Sequence, residues 1–209
     1  MHVRDEFQIR SEAELDGLYA DPLPTATRGT LDHLHDYHLL YLKRAPIVCI
    51  GSGSDAGFDV SPRGGDPGFV QVLDRRTLAI PDVIGNNKIE TLRNVVRDGR
   101  IALLFLFPGL DIFLRIRGRA LITRDPELLT RLVHAGKTPV TAIVISTEAV
   151  YFHCGRAINR SRMWDPKTHI ARADMPSPGT MMRDLCSIAE LTAEQLDAVY
   201  STAMHDALY

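Results

Sequence analysis

The chain has 209 residues, which suits one domain with a small helical appendage and is long enough for a real hydrophobic core. Its formal net charge of -2 leaves no broad basic field to grip nucleic acid or an anionic membrane. The three scattered cysteines, Cys49, Cys154 and Cys186, include no CxxC pair; this argues against a disulfide framework or structural zinc and fits a reducing cytoplasm.

The N-terminal stretch MHVRDEFQIR is charged and lacks an apolar h-region, so no signal peptide is expected. Ser11 followed by Glu14 forms a capping box ahead of Leu15 and Leu18, predicting a first helix that Asp21-Pro22-Leu23-Pro24 breaks. Leu31, Leu34, Leu39 and Leu42 predict a second helix over residues 30–43. Residues 47–50 then read as a short strand ended by Gly51 and Gly53. Residues 69–73 and 77–80 read as a hairpin turned by Asp74-Arg75-Arg76. Residues 87–96 predict a helix stopped by Asp98-Gly99.

Residues 101–107 form a continuous apolar run, hence a central strand, while the longer run to Leu110 is too short to span a bilayer. Residues 112–123 alternate, with Phe113, Arg115, Arg117 and Arg119 against Ile112, Leu114 and Ile116. Asp125-Pro126-Glu127 opens another helix, residues 141–153 form a long strand, and the remainder reads as helical and polar. Thr192 to Glu194 with Leu196, Val199, Tyr200 and Met204 suggest an amphipathic packing helix. Hairpin-connected strands with inserted helices point to an antiparallel, mainly β (α+β) barrel. Neither GxGxxG nor GxxxxGK[ST] occurs. The expected division is a helical extension over 1–45, a β core over 46–155 and a C-terminal helical segment over 156–209 that packs on the core and on a partner.

Two stretches could carry chemistry. Residues 59–68 place Ser61, Arg63, Gly64 and Gly65 within five positions: a hydroxyl, a planar guanidinium and free glycine backbone that could cradle a phosphate. Taken alone, a flexible Gly/Pro loop with a solvated arginine is the commoner reading of such a stretch. Residues 81–88 end in Asn86, Asn87 and Lys88. One of the asparagines would cap the following helix, whose N-terminus with Lys88 favours an anion, and Arg93 and Asn94 follow. Plain capping with a surface lysine fits equally well. Both stretches flank the hairpin over residues 69–80, so they can converge on one site.

Residues 77–82, Gly85-Asn86-Asn87-Lys88, Leu92-Arg93-Asn94, the Leu104-Phe105 run and Gly118-Arg119-Ala120 together resemble the pyridoxamine 5′-phosphate oxidase-related FMN-binding proteins over residues 47–152. The resemblance implies an antiparallel split β-barrel of the FMN-binding type and a homodimer with FMN at the subunit interface. It implies a basic contact from Ser61 and Arg63 to the flavin, with Thr77, Leu78, Ala79 and Ile80 along the ring edge. Asn86, Asn87 and Lys88 would hold ribityl and phosphate. By the same analogy Arg160, Ser161, Arg162 and Trp164 reach the partner's flavin. Beyond Cys154 the namesake oxidase's substrate motif is not found, so vitamin B6 oxidation is not the expected reaction.

Arg117, with Arg115 and Arg119, is either the rim of the flavin site or a solvated face. His33, His35 and His38 carry no metal signature, so no metal site is expected, and adjacent His153 and Cys154 point to opposite faces. No catalytic residue is singled out, because the flavin ring carries the hydride itself. The expected function is FMN-dependent oxidation or reduction of a small molecule, with NAD(P)H or a reduced deazaflavin as electron partner, in the cytoplasm and with neither nucleic acid nor membrane. The alternative is a non-catalytic flavin- or haem-binding storage or sensor protein.

Overall fold

The computed structural model describes residues 4–83, 85–133 and 136–205. Ile84 of the polar stretch and the first three residues of the N-terminal stretch lie outside the described residues. Seven strands build one sheet: β1 (Ile47–Ser54), β2 (Gly57–Gly64), β3 (Gln71–Asp74), β4 (Thr77–Asp82), β5 (Arg100–Leu106), β6 (Ile112–Thr123) and β7 (Thr141–Cys154). Their order is β2-β1-β5-β6-β7-β4-β3, and every neighbouring pair is antiparallel. With its helices the fold is α+β.

The sheet is coiled. Val48 and Ile50 of β1, Phe105 of β5, Ile116 of β6, Ile143 and Ile145 of β7, and Leu78 and Ile80 of β4 are all fully buried in one cluster. Strands from both halves of the sheet can share a core only if the sheet curls on itself. Burying each such side chain contributes about 1.5–3 kcal/mol, so this cluster dominates the stability. Among the described residues no ladder joins β2 to β3 or β4, so the coil is open along that side.

One expected strand boundary moves and one strand is new. β1 runs through Gly51 and Gly53 to Ser54 instead of ending at them, because its partner strand continues the ladder. That partner, β2, falls where the sequence suggests a loop. Pro62 lacks an N–H, but β2 is an edge strand, where a proline is tolerated. β6 and β7 pair along nearly their whole length, with an irregularity at Arg117/Gly118. A Cβ on Gly118 would lie 2.0 Å from the carbonyl oxygen of Ser146, so the close approach there excludes any side chain.

The N-terminal helices are short: α1 (Glu12–Asp16), α2 (Pro24–Arg28) and α3 (Asp36–Leu42). Ser11 caps α1 as expected, accepting from the Glu14 N–H. Pro24 opens α2 rather than only ending a helix. The expected helix over 30–43 is instead extended up to His35. Leu31 bridges Val150, the Leu34 N–H donates to the Arg75 carbonyl, and Arg76 donates to the carbonyl and carboxylate of Asp32. These long-range bonds compete with helix formation and win. α3 then starts on a double imidazole cap. Nδ1 of His35 accepts the Tyr37 N–H, and Nδ1 of His38 accepts the His35 N–H.

α4 (Glu90–Arg97) packs on β1, β2 and β6, and α5 (Pro126–Arg131) opens at Pro126 as expected, with Asp125 as its cap. After α6 (Arg156–Ser161), α7 (Pro178–Leu185) and α8 (Ala193–His205) pack against each other, and the Asp197 carboxylate accepts the Gly179 N–H at 2.7 Å. Among the described residues no helix is long and apolar enough to cross a membrane.

Candidate functional site

β2 inverts the usual strand pattern. Its residues 58, 60 and 62 are Phe, Val and Pro and point outward, with Phe58 93% and Val60 72% exposed. Asp59, Ser61 and Arg63 pair directly with Ser52, Ile50 and Val48 of β1, so they share the face that looks into the coiled sheet. An edge strand that turns polar groups inward and apolar groups outward is wasteful as core, and it marks the open side of the coil as a place where something polar is held.

The inward row is tied down at both ends. Near its start the Thr91 hydroxyl of α4 donates to Asp59 at 3.2 Å. α4 is fixed further by Asn94, whose amide donates to the Ser52 hydroxyl at 3.3 Å while Oδ1 accepts from the Ser54 hydroxyl at 2.9 Å. At the other end Arg63 donates from Nη1 to the Ser61 hydroxyl at 2.5 Å and to the Pro62 carbonyl at 3.0 Å. Its Nη2 lies 3.6 Å from Oδ1 of Asp82, at the end of β4. Four strands separate β2 from β4 in the sheet order, so this ion pair closes the coil where no ladder does.

The Arg63–Asp82 pair is half-buried, with 22% and 17% of the side chains exposed. Burial pushes the Asp82 carboxyl above its usual range, and the nearby Arg63 charge opposes that shift. Asp82 pairs with Thr141 across the β4–β7 ladder, so both side chains lie on one face. The Thr141 hydroxyl is buried with no hydrogen-bond partner among the described residues. An orphaned buried hydroxyl beside a loose ion pair is a feature that a bound polar group would satisfy.

The expected site residues divide by position. Ser61 and Arg63 converge with Asp82, in line with two flanking stretches that meet at one site. The backbone cradle does not form: the Gly65 N–H is donated to the Pro46 carbonyl, and Gly64 lies in the β1–β2 ladder. Leu78, Ala79 and Ile80 are fully buried, which leaves the strand backbone and half-buried Thr77 for any contact along β4.

Neither asparagine caps α4. The helix begins at Glu90 after Ile89, because the Asn86 side chain accepts the Lys88 N–H in its own turn and Asn87 takes a left-handed φ of 60°. Asn86, Asn87, Lys88 and Arg93 are exposed. Arg117 pairs with Ala102 and stands on the outward face, opposite Arg63. Arg160 is exposed, the Ser161 hydroxyl donates to the Ile158 carbonyl, Arg162 binds Asp165, and the Trp164 indole donates to the Leu110 carbonyl at 3.1 Å. Among the described hydrogen bonds and ion pairs none links residues 160–164 to Arg63 or Asp82. Sequence reasoning misses Asp82 and Thr141, since their relation to Arg63 depends on closure of the coil.

Residues 34–154 match the family model described as pyridoxamine 5′-phosphate oxidase. The chain belongs to the pyridoxamine 5′-phosphate oxidase family. No curated protein matches it. Among solved structures, the chain is similar to HupZ from Group A Streptococcus, with 13% identity over 56% of this chain and 91% of that one, at a TM-score of 0.48. A putative pyridoxamine 5′-phosphate oxidase from Lactobacillus delbrueckii shares 19% identity over 58% of this chain and 95% of that one, at a TM-score of 0.46. The family match ends at Cys154, so α6, α7 and α8 lie beyond it.

The residues present suit the phosphate end of a flavin mononucleotide. The inward face offers one guanidinium and one hydroxyl already aligned by their mutual hydrogen bond, with an unsatisfied hydroxyl on the facing strand.

Proposed function

We propose that this family member is an FMN-binding flavoprotein, an FMN-dependent oxidoreductase acting on a small molecule. The observation that carries the reading is the inward row of β2, which aims Ser61 and Arg63 into the open side of the coil. A planar guanidinium fits a phosphate dianion better than it fits solvent, and the exposed turn at Asn86, Asn87 and Lys88 supplies further polar groups for a ribityl chain. The flavin, once bound, accepts and releases hydride, so the chain's task is to bind, orient and shield it.

A homodimer in the cytoplasm completes the proposal. The outward row of Phe58 and Val60, beside exposed Ala102, is an apolar surface on an edge strand, and a second copy would cover it. On this reading Arg117, on the same outward face, belongs to the subunit interface, and Arg160, Ser161, Arg162 and Trp164 reach the partner's flavin. NAD(P)H or a reduced deazaflavin is the electron partner. Anaerobic addition of NADPH, NADH or a reduced deazaflavin to the FMN-loaded protein tests the oxidoreductase reading. Bleaching of the flavin by one of them supports it, and a flavin that none of the three bleaches counts against it.

A further inference from the structure

We propose that Asp82 competes with the ligand's phosphate for Arg63, so that phosphate binding at this site is coupled to uptake of a proton by Asp82. The inference rests on the FMN reading and deepens it by naming how the site is regulated.

The geometry carries it. Charge-assisted N–H···O contacts run at about 2.7–2.9 Å, and Arg63 reaches Asp82 only at 3.6 Å. Its Nη1 is committed to the Ser61 hydroxyl and the Pro62 carbonyl, and Nη2, which faces Asp82, holds it only at the longer distance. A phosphate that engages this edge must sit beside the carboxylate. Two anions sharing one cation repel, and the half-buried carboxylate relieves the repulsion by taking a proton from solvent. The half-buried setting favours this outcome, since burial already pushes the carboxyl up.

The groups that surround Asp82 leave it as the acceptor. Arg63 faces it from β2 and is the charge that bears on it. From β7 it meets Thr141, whose buried hydroxyl lacks a partner, and its own carbonyl accepts the Val140 N–H. Lys88, in the turn after β4, and Lys137, in the segment before β7, are the described cations of the flanking segments. Once the carboxyl is protonated it becomes a donor, and the Thr141 hydroxyl can bond either oxygen.

The sign follows directly. The carboxylate form opposes phosphate, so affinity for FMN rises as pH falls through the Asp82 pKa in the complex. Riboflavin lacks the phosphate and shows no such coupling.

The test compares the full-length wild type with Asp82→Asn, with Asp82→Ser as a second variant should the first fold poorly. FMN and riboflavin affinities are read by flavin-fluorescence titration at a series of pH values from acidic to mildly alkaline, since burial raises the Asp82 carboxyl above its usual range. Protons taken up are counted by calorimetry in two buffers of different ionisation enthalpy. The FMN phosphate has its own second pKa near 6, so protons are counted at the alkaline end of the series, well above it, where the phosphate's own uptake is small.

We expect wild type to take up more protons than the variant on binding FMN, and Asp82→Asn to bind FMN about tenfold tighter at the alkaline end, with riboflavin unchanged. That factor lies toward the solvent-screened end of the repulsion between two like charges a few ångströms apart. Weaker FMN binding by the variant, or equal proton counts, would overturn the inference and leave Asp82 as a group that merely positions Arg63. Equal affinity for FMN and riboflavin in both proteins would overturn the phosphate reading itself, and the inference with it.

Discussion

Replacing Arg63 by alanine separates a phosphate ligand from a structural arginine. A hydrogen bond to a charged group contributes about 1.5–3 kcal/mol, which corresponds to roughly a tenfold to hundredfold loss of FMN affinity. The Arg63 side chain is 22% exposed, so solvent screening trims this contribution only modestly. A second effect adds to the first. Asp82 loses the cation that opposes its burial, so it either stays charged and repels the phosphate or protonates. The loss should therefore be larger where Asp82 is charged than at lower pH, where it is protonated. Arg63→Lys keeps the charge but loses the planar fork, and it should fall between wild type and alanine. The assay is fluorescence titration with FMN and riboflavin side by side, with circular dichroism to confirm the fold. Selective loss for FMN is expected. Equal losses for the two flavins would refute the role given to Arg63.

Two further outcomes test the frame around the site. Gly118→Ala places a methyl 2.0 Å from the Ser146 carbonyl oxygen, with backbone rather than a flexible side chain in the way. Overpacking of this kind costs about 1–3 kcal/mol, or roughly 2–10 °C in Tm for a chain of this size, and an unchanged melting temperature would contradict the close β6–β7 approach. The cap of α3 should fail in acid. His38 is buried against Phe152 and accepts the His35 N–H at Nδ1, and burial lowers its pKa from 6.5, with the charges of His35 and His33 acting in the same direction. A folded pKa below the unfolded one means that this stability is present above pH 6.5 and is lost as pH falls toward the folded value. Thermal melts from about pH 7.5 to 5 should show that fall, and His38→Asn should flatten it; an identical slope in both would dismiss the imidazole cap.

The sequence was most legible where local pattern and tertiary structure agree. The apolar run of β5, the alternation of β6 and the long apolar stretch of β7 all appear as strands, Ser11 caps the helix it was expected to cap, and a helix opens at Pro126 as expected. Gly118-Arg119-Ala120, one of the marks of the family resemblance, has a physical cause in the backbone contact at Gly118. Legibility failed where distant partners decide. Residues 30–35 have helical spacing but are held extended by Arg75, Arg76 and Val150. β2 was hidden by Pro62, Gly64 and Gly65, although the alternation of Phe58, Val60 and Pro62 with Asp59, Ser61 and Arg63 was present to be read. At the site, Ser61 and Arg63 could be chosen by residue type, because a hydroxyl and a guanidinium two residues apart share a face. Asp82 could not, because the flanking of the hairpin suggests only that the two stretches can meet, not which side chain at the end of β4 faces Arg63. The outward position of Arg117 likewise follows from register with Ala102, which a single strand does not reveal.

The most direct test of the central claim is an absorption spectrum of the freshly purified protein, with the released ligand identified by mass. The account predicts the bands of an oxidised flavin and the mass of FMN. A colourless protein that FMN cannot reconstitute, or a Soret band in place of the flavin bands, would contradict it.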